Sequence, residues 1–272
     1  MDHDIDIIRP DLPRGGFRSV LFDFDGTLSL IREGWQGVMV PMMVEVLRQT
    51  GTAEDPARLA EVVEDFVIRL TGKQTIYQMI QLAQEVRQRG GQPLDPLAYK
   101  RRYHDLLQER IGGRIEALQS GSARPVDWLV PGSLELLANL QKRGLVLYLA
   151  SGTDLAFVRQ EADLLGLTPF FGERIFGALD DYQKFSKQRV IEDILRLHRL
   201  EGEKLLAFGD GYVEIEEIKR VGGTAVAVAT EEAKRQGVNP WKRQRLIGAG
   251  ADLVIADFRC QERLVQVLFG EK

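Results

Sequence analysis

One cysteine and three histidines are all that this 272-residue chain offers of the side chains that most often build disulfides and transition-metal sites. The single Cys260 excludes an internal disulfide and a multi-cysteine metal centre, suits a reducing compartment, and reads as a partly buried apolar filler rather than a nucleophile. His3, His104 and His198 lie far apart with no paired spacing, so no catalytic or metal role is read for them. No apolar run approaches the length of a membrane span, and the N-terminus is acidic at Asp2, Asp4, Asp6 and Asp11 where a secretion signal would be basic. These absences lead us to expect a cytoplasmic protein with a frayed N-terminal arm and no membrane partner. A net charge of −4 gives no reason to expect nucleic acid, and no internal repeat or low-complexity linker stands out. What remains is 44% hydrophobic and 28% charged, ordinary for a globular protein that works on small molecules.

The most informative stretch is Ser19-Val20-Leu21-Phe22-Asp23-Phe24-Asp25-Gly26-Thr27-Leu28. Its nearly continuous apolar residues predict a strand buried on both faces of a parallel sheet, where a lone carboxylate is costly, so Asp23 and Asp25 belong at the strand's mouth. Residues two apart share one side of a strand, so both carboxylates can face one site, and Gly26 permits a tight departure of the backbone. An Asx turn or a calcium loop would explain Asp-x-Asp-Gly in isolation. Here an apolar strand precedes it, and no bidentate acid follows at EF-hand spacing.

Roughly the next hundred residues read as helical. Apolar positions recur at steps of three and four in Ala57 to Leu70 and in Ile76 to Val86; Pro96 opens a further helix expected to end near Gly112, and Pro41 implies a kink or a helix start within Trp35 to Leu47. From about Val130 the pattern becomes short apolar strands alternating with helices. The strands are placed at Val146 to Ala150, Lys204 to Phe208, Thr224 to Val228 and Asp252 to Ile255, with a helix at Pro131 to Arg143. The predicted architecture is an α/β, Rossmann-like parallel sheet flanked by helices, residues 17–30 and 128–272, with an all-helical domain, residues 31–127, inserted after the first strand.

Ligands of open α/β sheets bind beyond the carboxyl ends of the strands. There the second apolar run delivers Ser151-Gly152-Thr153-Asp154, a hydroxyl and backbone amides suited to phosphate, and the run Leu205 to Gly209 delivers Asp210 and Glu214, acids able to share a metal with Asp23. Between them Ser186-Lys187 starts a helix, with Lys184 as a rival cation. The stretch Lys242-Arg243-Gln244-Arg245 reads as a solvated face.

In this order the residues resemble the four motifs of the haloacid dehalogenase superfamily: Asp23-Phe24-Asp25-Gly26-Thr27, then Ser151, then Lys187, then Gly209-Asp210-Gly211-Tyr212-Val213-Glu214. Lys187 is preferred to Lys184 because it opens the amphipathic helix of Val190, Ile191, Ile194 and Leu197, and because its separation from Asp210 is typical of the family. The resemblance implies a phosphoric monoester hydrolase with Asp23 as nucleophile, Asp25 as general acid and base, and Ser151 and Lys187 holding the transferring phosphoryl group. It also implies Mg²⁺ held by Asp23, Asp210 and the Asp25 backbone carbonyl, with Glu214 in or behind the coordination shell, and Thr27 orienting the Asp23 loop at the edge of the substrate.

The helical insertion is similar to the caps of the phosphoglycolate phosphatase and β-phosphoglucomutase branch. Arg32, Glu33, Trp35, Lys73 and Gln74, together with Thr27 and Gly152, are the expected substrate contacts. The chain departs from many such enzymes after Leu28, reading Ser29-Leu30-Ile31-Arg32-Glu33 where an Asp or Ser pair is common, so no substrate identity is carried over. The expected substrate class is a sugar phosphate or a small phosphorylated acid. A phosphosugar mutase would use the same acids, and a non-catalytic binding or regulatory protein could keep the same fold. No oligomeric state is read from the sequence.

Overall fold

A computed structural model describes residues 5–179 and 181–271. Seven strands form one sheet: β1 Asp6–Ile7, β2 Ser19–Phe22, β3 Val146–Asp154, β4 Ile175–Ala178, β5 Leu205–Gly209, β6 Thr224–Val228 and β7 Leu253–Ile255. Their order is β1-β7-β6-β5-β2-β3-β4, and every pairing is parallel except β1 against β7. From β2 the chain steps outward to β3 and β4, then returns to the other side of β2 for β5 and steps outward again to β6 and β7. The reversal falls between β2 and β5, where an open α/β sheet forms its ligand crevice. The two strands are level, with Phe22 opposite Phe208, so the residues that follow them emerge side by side.

Two strand expectations need correction. Asp6, placed in a frayed arm, pairs with Val254 and adds an antiparallel edge to the sheet; Asp2, His3 and Asp4 lie outside the described residues. β3 does not end at Ala150 but continues to Asp154, because β4 runs alongside it, with Ala150 opposite Phe176 and Asp154 opposite Ala178 across a shift in register.

The described chain divides into two compact units, one built from residues up to Glu33 and from Ala117 onward, the other from Gly34–Glu116. The second unit is helical: α1 Gln36–Arg48, α2 Pro56–Leu70, α3 Thr75–Gln88 and most of α4 Pro96–Gln119. Met39, Met43 and Leu47 of α1 are buried with Leu59, Val63 and Phe66 of α2 and with Met79, Leu82 and Val86 of α3, the i, i+3, i+4 stripes of amphipathic helices. α1 begins at Gln36, upstream of Pro41, which lies inside the helix on an exposed position. α4 passes straight through Gly112 and Gly113, correcting the expected end. Tyr99, Tyr103, Leu107, Ile111 and Leu118 keep one apolar stripe buried across the glycines, which outweighs a propensity cost of about 1 kcal/mol for each.

In the first unit, α5 Ser133–Lys142, α6 Leu155–Leu164, α7 Thr168–Phe171, α8 Lys187–His198, α9 Tyr212–Arg220, α10 Pro240–Gly248 and α11 Gln261–Phe269 flank the sheet. Alternation along the strands sorts the core. Leu21, Tyr148, Ala207, Ala225 and Val254 pack with Val190, Ile191 and Ile194 of α8, Ile215 and Ile218 of α9, and Leu246 of α10. The other set carries aromatic rings: Phe22 stacks on Phe208 at 4.8 Å, and Phe258 meets both edge-on at 6.5 and 5.8 Å. Among the described residues no helix is long and apolar enough to cross a membrane.

These rings lie directly beneath the strand ends that carry Asp23 and Asp210. Phe208→Ala is expected to cost about 3–5 kcal/mol, seen as a lower midpoint in urea unfolding followed by circular dichroism; a loss under about 1 kcal/mol would show that the ring cluster is not the core of this unit.

Candidate active site

Asp23 follows β2 directly and donates its backbone N–H to the Phe208 carbonyl at 3.0 Å, which ties it to β5. Ser186 caps α8 by accepting from Arg189 N at 3.1 Å and so sets Lys187 in the first turn. From there Lys187 Nζ reaches Asp23 Oδ1 and Glu214 Oε2, both at 2.9 Å. Glu214, in the first turn of α9, accepts the Gly211 N–H on its other oxygen at 2.6 Å. All three side chains are buried: Asp23 is 7% exposed, Lys187 5% and Glu214 1%. Lys184 instead pairs with Asp181 at 2.9 Å on the surface.

Burial pushes the Asp23 carboxyl well above its ordinary range; Lys187 opposes the rise, and Glu214 and Asp210 add to it. Burial also works against the Lys187 ammonium, but Asp23 and Glu214 overcome it and hold the amine protonated more tightly than usual. Glu214 is held below its usual range, its burial outweighed by Lys187 and by the hydrogen bonds it accepts.

Asp25 has a different shell. Its Oδ2 accepts from Thr153 Oγ1 at 2.8 Å and from Ser151 Oγ at 3.2 Å, while Ser151 Oγ in turn accepts the Thr153 N–H at 3.0 Å. Arg32 Nε stands 3.7 Å from Asp25 Oδ1. Arg32 is itself buried and forked onto Glu161 of α6, with Nε and Nη2 at 3.0 and 2.6 Å from Oε1. Burial raises the Glu161 carboxyl above its ordinary value, and Arg32 opposes that rise. Arg32, expected among the substrate contacts, is thus directed at two carboxylates of its own chain.

Asp210 follows β5 and is gripped from two sides. Thr27 Oγ1 donates to its Oδ1 at 3.3 Å, and Lys242 Nζ donates to its Oδ2 at 2.7 Å and to Glu232 Oε1 at 2.5 Å. Gly26 has φ +76°, and an added Cβ there would run into the Asp210 carboxylate, so the turn after Asp25 requires glycine for both conformation and space. Contrary to the solvated face expected for Lys242 to Arg245, the Lys242 side chain is 14% exposed, its head enclosed by two carboxylates.

Of the remaining expected residues, Gly152 lies within the continued strand β3, and Glu33 is close enough to Glu232 to push its carboxyl up, after burial and Asp210. Trp35, Lys73 and Gln74 belong to the helical unit; Trp35 precedes α1, and the exposed Lys73 and buried Gln74 form the link between α2 and α3. Cys260 is buried, and burial pushes its thiol up to about 11. Four residues at the site escaped the sequence reading: Thr153, Glu161, Glu232 and Lys242. Thr153 had a signal in the two-residue period from Ser151. Glu161 had one as an acid on the apolar face of Val158 and Ala162. Glu232 and Lys242 had none.

One oxygen from each of Asp23, Asp210 and Glu214 lies within 4.8 Å of the others. Hard oxygen donors at this spacing suit a divalent cation such as Mg²⁺, and Asp23, raised by burial and two neighbouring acids, calls for a further positive charge. The Asp25 carboxylate is not in this set.

The haloacid dehalogenase-like hydrolase family model matches residues 17–222, well over half of the chain, and the chain belongs to this family. Solved structures share its fold. A predicted phosphoglycolate phosphatase from Haemophilus somnus 129PT is 15% identical over 93% of this chain and 100% of its own, with a TM-score of 0.60. A family IA, variant 3 hydrolase from Entamoeba histolytica is 18% identical over 93% and 99%, with a TM-score of 0.61. A hydrolase of the family from Deinococcus radiodurans, with bound phosphate and sodium, is 18% identical over 93% and 98%, with a TM-score of 0.52. No curated protein matches the sequence.

The Arg32–Glu161 fork holds a guanidinium at Asp25 in a buried place where neither charge is stable alone. Glu161→Ala is expected to destabilise the chain by about 3–5 kcal/mol in denaturant unfolding, and Glu161→Gln, which keeps the volume and part of the hydrogen bonding, by less. Equal, small losses for both would show that the pair is solvated.

Proposed function

We propose that the chain is a Mg²⁺-dependent phosphatase that hydrolyses a small phosphomonoester through a phosphoryl group carried on Asp23. The observation that carries this reading is the buried Asp23 bound to Lys187 at the strand end, with Asp25 two residues on, held by two hydroxyls at the same crevice. An Asp23 carboxylate oxygen attacks phosphorus in line. The bond from phosphorus to the leaving oxygen breaks, and that oxygen takes the proton of the Asp25 carboxyl. Water then gives a proton to the Asp25 carboxylate as its oxygen attacks phosphorus. The bond to Asp23 breaks, phosphate leaves, and both acids return to their starting forms.

Ser151 and Lys187 hold the phosphoryl oxygens as charge develops on them. Asp23, Asp210 and the Asp25 carbonyl would hold the Mg²⁺, with Glu214 in or behind the coordination shell. A cation there offsets phosphate and carboxylate charge. Thr27 fixes Asp210 through its hydroxyl. We assign residues 34–116, inserted after the first acid pair, the role of a cap, with Trp35, Lys73 and Gln74 as its substrate contacts. Gly152 and Glu33 are the core's contacts with the organic part of the substrate. A cap that excludes bulk water favours sugar phosphates and small phosphorylated acids over phosphoproteins.

The test is phosphate release from a panel of sugar phosphates, phosphorylated acids and nucleotides with and without Mg²⁺. Release is expected only with the metal, falling to background in Asp23→Asn and by about 10²–10⁴-fold in Asp25→Asn. Release that survives Asp23→Asn would overturn the covalent route, and isomerised sugar phosphate without free phosphate would replace hydrolysis by phosphoryl return.

A further inference from the structure

Lys242 lies beyond residues 17–222, the stretch that matches the family, yet its ammonium sits on Asp210. The local chain is built to bring it there. After β6, Asn239 donates its N–H to the Ala229 carbonyl at 2.7 Å, and Glu231 donates to the Gly237 carbonyl at 3.0 Å, which closes the connection on itself. Asn239 Oδ1 then accepts the Lys242 N–H at 3.0 Å and caps α10, placing Lys242 in its first turn. A cation is disfavoured at that end of a helix dipole. Two carboxylates, Asp210 on one side and Glu232 on the other, hold it there, and Glu33 lies near Glu232.

We propose that Lys242 is a positioning residue that fixes the Asp210 carboxylate and serves as the charge counterweight of the metal-holding acids, thereby setting how tightly they take a divalent cation. The inference rests on the metal-dependent reading above. Its sign follows from Coulomb's law. Without the ammonium, Asp210 and Glu232 face each other uncompensated, and the nearest cation able to relieve them is the metal, so affinity rises. Without the Glu232 charge, Lys242 leans wholly on Asp210, and affinity falls. A lysine that only packed or braced the loop would weaken binding when removed and would give no opposition of sign.

The experiment is calorimetric titration of Mg²⁺ into the metal-free full chain. Lys242→Met is expected to tighten binding by about tenfold or more. Glu232→Gln should weaken it, the double variant should return toward the native value, and Lys242→Arg, which keeps the charge, should stay close to native. Unchanged or weaker binding in Lys242→Met overturns the proposal. Should that variant fail to fold by circular dichroism, Glu232→Gln decides, and unchanged or tighter binding there overturns it. Native protein that takes up no Mg²⁺, or Asp210→Asn that binds it as well as native, would sink the metal-dependent reading and this inference together. Native binding with an indifferent Lys242→Met sinks only the counterweight.

Discussion

A lysine ammonium buried between two carboxylates is the contact on which the rest of this site depends. Asp23 directly follows β2 and Glu214 lies in the first turn of α9, the helix after the neighbouring strand β5, and each is almost wholly withdrawn from water. Two carboxylates in that position are unstable together and unstable singly, because burial penalises each charge and proximity penalises the pair. Lys187 makes them possible by standing 2.9 Å from both. The demand propagates outward. α8 must begin at Lys187, with Ser186 as its cap, β2 and β5 must be level, and Glu214 must lie in the first turn of α9 with an oxygen turned to the Gly211 amide.

The same device recurs at the other two acids. Arg32, with Nε 3.7 Å from Asp25, is forked onto Glu161; Lys242, bonded to Asp210, also meets Glu232. Each acid at the crevice therefore meets a cation that a second acid holds from behind. A cation with one partner follows that partner when it moves or binds something else. A cation with two stays in place, so the field at the crevice is fixed by groups that do not themselves have to react.

Which parts of this were legible in the sequence follows from that arrangement. Asp23, Asp25 and Asp210 could be read because a buried strand announces where it ends, and an acid immediately after an apolar run has little other reason to be there. The parallel sheet was legible for the same reason. Lys187 and Glu214 came through the family resemblance, but Glu161, Glu232 and Lys242, which hold the groups around Asp25 and Asp210, were not read. Lys242 and Glu232 sit on a helix and a loop where a charged residue ordinarily meets water, and only the return of the chain over β6 puts them against Asp210. Glu161 left a trace in the apolar stripe of α6, but a stripe says only that the position is buried, not that Arg32 waits there. Gly112 and Gly113 misled because local propensity costs less than the buried stripe of α4 returns, and β3 outran its apolar run because its neighbour β4 continued.

The second acid behind each cation also bears on how the site can carry a phosphoryl group. In the reaction proposed above, Asp23 becomes an acyl phosphate and its own negative charge is replaced by that of the phosphoryl oxygens, which lie further from the strand. Were Lys187 held by Asp23 alone, its ammonium would lose its anchor at the moment its charge was most needed. Glu214 gives Lys187 a second anchor: its two hydrogen bonds, to Lys187 and to Gly211, involve no atom that changes in the proposed transfer. The reorganisation that water would have to undergo around a new dianion is thus already built into the fold, at the expense of keeping an extra carboxylate buried.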